Sequence, residues 1–231
     1  MSTPPIPELD AGLLARRQLH VIFALDCSGS MRGDRMASLN YAMRTAIPEL
    51  KTVAEDNPEV DVFVRVLRFD TAARWHIETP CPIAELVWED LTAGGETAMG
   101  AALELMAEAL SAESAPRQLP PVIVLTSDGY PTDDVETGLA NFFAQAAGRA
   151  ATRLAIAIGS NADLETLEAF MDADEHLRPL RANNAPDLVN SIKWATTAPV
   201  KATSSPTNAP SAEAQLANDL PELTADSDMV W

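Results

Sequence analysis

Basic side chains are scarce in this sequence. Its 231 residues include 16 lysines and arginines against 34 aspartates and glutamates, which gives a formal net charge of −18. The longest basic run is Arg16-Arg17, whereas proteins that bind nucleic acids or anionic membranes present clusters of basic residues. We therefore expect neither nucleic acid nor a membrane among the partners. The acidic field favours a cation or a basic protein surface instead.

Cysteines and long hydrophobic runs are scarce as well. Cys27 and Cys81 provide neither a disulfide framework nor the spacing of metal ligands, and reduced cytosolic thiols are the simplest interpretation. Residues 1–26 lack the charged start and apolar segment of a signal peptide. The apolar run 21–25 is far too short to span a bilayer. These absences predict a cytoplasmic protein.

Short apolar runs alternate with segments of helical periodicity. Residue 72 follows one such run after a very short turn, so we expect 72–78 to pair antiparallel as an edge strand. Pro48 lies inside the helical pattern that starts near Asp34 and should kink or split that helix. The alternation predicts an α/β fold: a doubly wound, mostly parallel central sheet with helices on both faces and one antiparallel edge strand. The continuous runs typical of buried strands are 19–25, 60–69, 120–128 and 153–159.

The composition changes near Thr196, where serine, threonine, proline and alanine become frequent without a sustained period. Such composition is typical of disordered segments. The sequence therefore predicts an N-terminal extension over 1–17, one globular domain over 18–198 and a disordered acidic tail over 199–231.

Oxygen-bearing side chains follow the predicted strands. The segment "LDCSGSM" contains Asp26 directly after the first strand, and "TSDG" places Asp128 directly after another. In open α/β sheets, ligands bind outside the carboxyl ends of the strands, so both carboxylates are expected in one crevice. A glycine turn, "AGGET", ends at the start of a helix and adds a threonine hydroxyl. The predicted metal-binding set is Asp26, Ser28, Ser30, Thr97 and Asp128.

Hard oxygen ligands of this kind suit Mg²⁺ or Mn²⁺ rather than softer metals. Three of the five ligands are neutral hydroxyls, so few protein charges would lie directly on the ion. The ion would then remain electrophilic and would accept a further anionic ligand.

The motif "DCSGS", the distant Thr97 and "SDG" together resemble the metal-ion-dependent adhesion site of von Willebrand factor A (VWA) domains, over residues 19–198. The resemblance implies a Rossmann-like fold, with Ser28, Ser30 and Thr97 as direct ligands of Mg²⁺ (Mn²⁺ or Ca²⁺ as alternatives). It implies that Asp26 and Asp128 act largely through water, with Asp128 as a direct ligand in a closed state. A partner protein would supply an acidic side chain to the sixth position. Glu96 departs from the glycine common before the threonine and adds an anion near the ion.

Longer segments, "RRQLHVIFALDCSGSMRGDRM", "AGGETAMGAAL" and "SDGYPTDD", are similar to bacterial tellurium-resistance-associated proteins of the TerY-like type. This similarity implies a scaffold or adaptor in a stress-response or phosphosignalling system, with a protein kinase and a protein phosphatase as possible partners. Met31 and Arg32 follow the metal loop, and we expect both to be exposed and to contact the partner.

Enzymatic alternatives are less well supported by the residues. Ser28 and Ser30 lack the Gly-x-Ser-x-Gly elbow of a hydrolase, and no histidine is expected near them. A phosphotransferase with Asp26 as nucleophile would show a second aspartate where Ser28 stands. We expect no catalysis, although a metal-dependent hydrolase or phosphotransferase stays an alternative.

A further alternative is a metal-independent interaction through a helical face, regulated by the C-terminal tail. The segment "TADSDMVW" could dock on a partner, or fold back onto the metal site as an autoinhibitory plug.

Overall fold

The structure, a computed structural model, describes residues 16–111, 118–172, 177–202, 212–221 and 223. Within this part of the chain, six strands form one sheet in the order β3-β2-β1-β4-β5-β6. Neighbouring strands are parallel except for β2 and β3, which are antiparallel. The predicted sheet and its antiparallel edge strand are confirmed. The strands are β1 (Arg17–Asp26), β2 (Val60–Phe69), β3 (Ala73–Pro82), β4 (Val122–Ser127), β5 (Thr152–Ile158) and β6 (Leu180–Ala182).

Helices cover both faces of the sheet, as predicted, and α1 packs against α6 whereas α2 packs against α3. Two 3₁₀ turns, Gly29–Met31 and Ile83–Glu85, join these elements. Among the residues that the structure describes, no helix is long and apolar enough to cross a membrane. The helices are α1 (Asp34–Glu55), α2 (Met99–Ser111), α3 (Val135–Ala144), α4 (Ala146–Ala150), α5 (Leu164–Met171), α6 (Ala185–Ala202) and α7 (Ala212–Asn218).

The central strands owe their place to their apolar sequences. Every residue of β4 is buried, and so are the last six residues of β1, as expected of parallel strands covered by helices on both faces. The chain leaves β1 for β2 on one side, and β4 later joins β1 on the other side. A crevice therefore lies outside the carboxyl ends of β1 and β4, where ligands bind in such sheets.

Helix α1 continues through Pro48, so of the two expected effects, a kink or a split, the split is wrong. Pro48 is exposed, and the apolar face of α1 is buried on both sides of it, through Met43, Ala46, Ile47 and Leu50. Tertiary packing of that face offsets the loss of one backbone hydrogen bond and keeps the helix in one piece.

Part of the segment predicted to be disordered has regular structure. Residues 199–202 form the last turn of α6, where Val200 is fully buried. Helix α7 packs against α6, and its Leu216 is buried. Composition alone missed these turns because the apolar surface that stabilises them belongs to another part of the chain. Residues 1–15, 203–211 and 224–231, including "DSDMVW", lie outside the described residues, so the division into extension, domain and tail stays a prediction.

Candidate metal centre

Three loops meet at the carboxyl edge of the sheet. The first follows β1, and its backbone is bonded to the second, the glycine turn before α2. The Gly29 amide donates to the Gly95 carbonyl at 2.9 Å, and the Gly94 amide donates to the Cys27 carbonyl at 2.8 Å. Gly95 has a φ of 85°, and a Cβ added there would lie 2.3 Å from the Thr71 hydroxyl. Only glycine allows this close approach of the glycine turn to Thr71, which lies in the turn between β2 and β3.

The third loop follows β4 and is tied to the start of α2. The Thr97 amide donates to the Thr132 hydroxyl at 3.1 Å, and the Thr132 amide donates to the Thr97 carbonyl at 2.9 Å. The Asp133 carboxylate accepts hydrogen bonds from the amides of Gly100 and Ala101, both at 2.8 Å. The position of Thr97 is therefore fixed by hydrogen bonds from the loop that carries Asp128.

Two serine hydroxyls and one carboxylate converge between the first and third loops. The hydroxyls of Ser28 and Ser30 are 2.9 Å apart. Ser30 donates to Asp128 Oδ1 at 2.7 Å, and the Ser28 hydroxyl lies 3.5 Å from the same oxygen. Ser28 and Asp128 are buried, whereas Ser30 is exposed. The cluster thus joins side chains that are about a hundred positions apart in the sequence and opens to solvent at Ser30.

Asp26 lies beneath this cluster and is fully buried. One carboxylate oxygen accepts from the Ser28 amide at 2.8 Å, and the other accepts from the Ser127 hydroxyl at 2.7 Å. Burial raises the pKa of Asp26 to about 6, and the negative charge of Asp128 adds to the rise; the hydrogen bonds from Ser127 and Ser28 oppose it. Asp26 therefore orients the first loop through hydrogen bonds.

Thr97 is buried at the same edge, and its hydroxyl forms no hydrogen bond with the residues that the structure describes. Its backbone holds it beside the third loop, as described above. Glu96, the departure from the usual glycine, is exposed, and its amide donates to the Thr71 hydroxyl at 3.3 Å.

Arg35 belongs to this site and was not predicted from the sequence. Its guanidinium Nη1 lies 2.5 Å from Asp128 Oδ2, and its side chain is only 14% exposed. Arg35 is the second residue of α1, where the helix dipole disfavours a cation. The sequence does contain a signal for this ion pair. It is a basic residue in the first turn of a helix beside a crevice with aspartates, which predicts a contact with one of their carboxylates. Ser127, which bonds Asp26, was missed as well.

The rim of the site differs from the prediction. Met31 is fully buried, so its expected contact with a partner is wrong; as the last residue of the 3₁₀ turn Gly29–Met31 it packs into the core. Arg32 is exposed, as expected. Tyr130, two residues after Asp128, is 70% exposed. Arg32 and Tyr130 are therefore the large side chains that the first and third loops offer to a partner.

The spacing of the oxygen atoms is compatible with a hard divalent cation. Neighbouring ligands of an octahedral ion with bonds of about 2.1 Å are about 3 Å apart. The distance of 2.9 Å between the Ser28 and Ser30 hydroxyls, the two groups of this cluster that would be direct ligands, matches that separation. In the described part of the chain, no three His, Cys, Asp or Glu side chains converge. The donor set thus depends on hydroxyl groups, which favours hard cations over softer metals.

Two of the three histidines lie elsewhere in the described structure. His20 stacks on Phe63, and His76 packs against Trp88. His176, the third histidine, lies outside the described residues.

Comparison with known proteins relates this chain to one family and one fold. The model of the von Willebrand factor type A domain matches residues 20–191. No curated protein sequence matches significantly. Among solved structures, the PilB minor pilin from Streptococcus sanguinis is 16% identical with a TM-score of 0.62, over 84% of this chain and 64% of that one.

Two further structures share the fold. Proximal thread matrix protein 1 from the mussel byssus is 16% identical with a TM-score of 0.58, over 78% of this chain and 48% of that chain. That structure is described with a zinc-occupied MIDAS (metal-ion-dependent adhesion site) motif. The ArnB paralog VWA2 from Sulfolobus acidocaldarius is 14% identical with a TM-score of 0.56, over 77% of this chain and 45% of that one. The present chain thus covers less than two thirds of the length of each of these three proteins.

Proposed function

Because the chain belongs to the von Willebrand factor type A domain family, we propose that it is a non-catalytic protein-binding domain whose binding depends on a divalent cation. The observation that carries this proposal is the convergence of the Ser28 and Ser30 hydroxyls on Asp128 Oδ1, at the distances given above. Family membership alone would not require a usable metal site, whereas this cluster supplies hard oxygen donors at the open edge of the sheet.

Mg²⁺ is the proposed ion, with Mn²⁺ or Ca²⁺ as alternatives. Ser28, Ser30 and Thr97 would hold it directly, and Asp26 and Asp128 would hold it through water. When bound, the ion supplies an electrophilic centre for an anionic ligand. The chain's own residues prepare this centre: Asp26 fixes the first loop through the Ser28 amide, and Asp133 fixes the start of α2 behind Thr97.

The proposed partner is a protein that presents an acidic side chain to the ion. Such a partner suits a site with neutral hydroxyl donors, because a carboxylate neutralises charge that the hydroxyls leave uncompensated. The exposed Arg32 and Tyr130 at the rim would contact the residues beside that acid. The similarity to the TerY-like family supports a cytoplasmic adaptor role in bacterial stress response or phosphosignalling, with a kinase and a phosphatase as candidate partners.

The test is an affinity capture that compares Mg²⁺ with EDTA and wild type with Ser30→Ala. Ser30 is exposed, so its truncation removes a ligand without opening the core. Ser160→Ala is the matched control, because Ser160 is an exposed serine that follows β5 at the same edge of the sheet. We expect a partner that is retained by wild type and by Ser160→Ala in Mg²⁺, and is lost in EDTA and with Ser30→Ala. Equal retention in all four arms would contradict the proposal.

A further inference from the structure

The contact between Arg35 and Asp128 places a permanent positive charge inside the candidate metal centre. The Asp128 side chain is fully buried, and that of Arg35 is 14% exposed. Within the described residues, Asp128 is the only ion-pair partner of Arg35. Because the helix dipole opposes a cation at this position of α1, the contact with Asp128 is what makes the buried position of Arg35 favourable.

The two oxygens of Asp128 have different neighbours. Oδ1 faces the hydroxyls of Ser28 and Ser30, and Oδ2 faces the Arg35 guanidinium. A divalent ion held by the serines and the guanidinium would therefore draw on the charge of the same carboxylate. Each weakens the attraction of Asp128 for the other, and this effect is larger at the fully buried Asp128 side chain than it would be on an exposed surface.

The charges of the site do not balance when the ion is present. Ionised Asp26 and Asp128 contribute two negative charges, and a divalent ion would neutralise them. The negative charge of Glu96 is exposed and is screened by water and salt. Arg35 adds one positive charge, so the loaded site would carry a net charge of +1. One further anion would restore neutrality.

We propose that Arg35 is a counter-cation that lowers the affinity of the site for divalent ions and keeps the loaded site positively charged. Tight metal binding then requires a carboxylate from outside the chain. The proposal rests on the metal-dependent binding function proposed above and extends it, because it couples the ion to its partner. By linkage, a carboxylate that tightens metal binding is itself bound more tightly in the presence of the metal.

The experiment measures Mn²⁺ binding by calorimetry for wild type, Arg35→Gln, Arg35→Met and Arg32→Gln. The Met variant keeps the length of the aliphatic stem, so it offers a second uncharged side chain if the Gln variant does not fold. Arg32→Gln is the matched control: it removes the same charge from an exposed position three residues earlier, on the first loop, where Arg32 Nη2 lies beside Gly94.

We expect the uncharged Arg35 variants to bind Mn²⁺ about tenfold more tightly than wild type. This corresponds to a binding free energy that is more favourable by about 1.4 kcal/mol. Arg32→Gln should change the affinity much less, because an exposed charge is screened by water and salt. Acetate in place of chloride at the same ionic strength should tighten Mn²⁺ binding by wild type more than by the Arg35 variants.

The proposal is overturned if the Arg35 variants bind Mn²⁺ no more tightly than Arg32→Gln, or if acetate tightens binding equally in wild type and in the variants. In both cases wild type still binds the ion, and the proposed function stands. Absence of Mn²⁺ binding by every protein would overturn this proposal and the metal-dependent function together.

Discussion

Asp26 and Asp128 are both buried at the ends of neighbouring strands, yet their surroundings differ. Asp128 has the Arg35 guanidinium as a charged partner. Asp26 accepts hydrogen bonds from Ser127 and Ser28 instead, and burial raises its pKa to about 6. A buried carboxylate without a cation favours its protonated form. The charge of Asp26 therefore changes in the weakly acidic range.

The pKa of Asp26 predicts a pH dependence of stability in EDTA. Between the unfolded value of 3.8 and the folded value of about 6, the folded protein keeps a proton that the unfolded chain releases. The free energy of unfolding should therefore fall as the pH rises through this window, by up to about 3 kcal/mol relative to Asp26→Asn. Urea unfolding of both proteins from about pH 4 to about pH 7 measures this difference.

The Asp26→Asn variant keeps the shape of the side chain but has no carboxyl group to titrate. If the free energy of unfolding changes with pH in the same way for both proteins, the prediction is contradicted. Added Mg²⁺ should reverse part of the loss in wild type near pH 7, because the cation favours the carboxylate form.

At the scale of elements, the start of α2 depends on a residue from another loop. The carboxylate of Asp133 accepts hydrogen bonds from the Gly100 and Ala101 amides, which a helix cannot satisfy within its own first turn. We expect Asp133→Ala to lower the free energy of unfolding by about 1–2 kcal/mol, and Asp133→Asn to lower it less because one acceptor oxygen remains. Urea unfolding checks both values.

Glu104→Ala on the exposed face of the same helix is the control, with an expected change within about 0.5 kcal/mol. If Asp133→Ala lowers the free energy of unfolding no more than Glu104→Ala does, water accepts the hydrogen bonds of the Gly100 and Ala101 amides as well as the Asp133 carboxylate does.

Elements and site residues differ in how far the sequence could predict them. Strands β1 and β4 were predictable because each contains one local apolar run that is fully buried, 21–25 in β1 and 122–125 in β4. Asp26 and Asp128 were predictable in place because each follows such a run. Arg35 was not predicted as a site residue, because Asp128 lies 93 positions away and no local sequence pattern on its own indicates an ion pair. Helix α7 was missed for the same reason, since the surface that buries its Leu216 belongs to α6.

At the scale of the whole molecule, the net charge of −18 means that any salt should stabilise the fold by screening repulsion. A specific site adds to this general effect, because an ion that binds only the folded state stabilises it further.

At equal ionic strength, MgCl₂ should therefore raise the Tm of wild type more than NaCl does. For Ser30→Ala the two salts should act alike, since the variant lacks one of the hydroxyls that approach Asp128 but keeps the full negative charge. Differential scanning calorimetry across a series of salt concentrations measures both effects. A Mg²⁺-specific rise of the same size in Ser30→Ala would place the stabilising ion elsewhere on the acidic surface, because screening and binding at other sites do not depend on this hydroxyl.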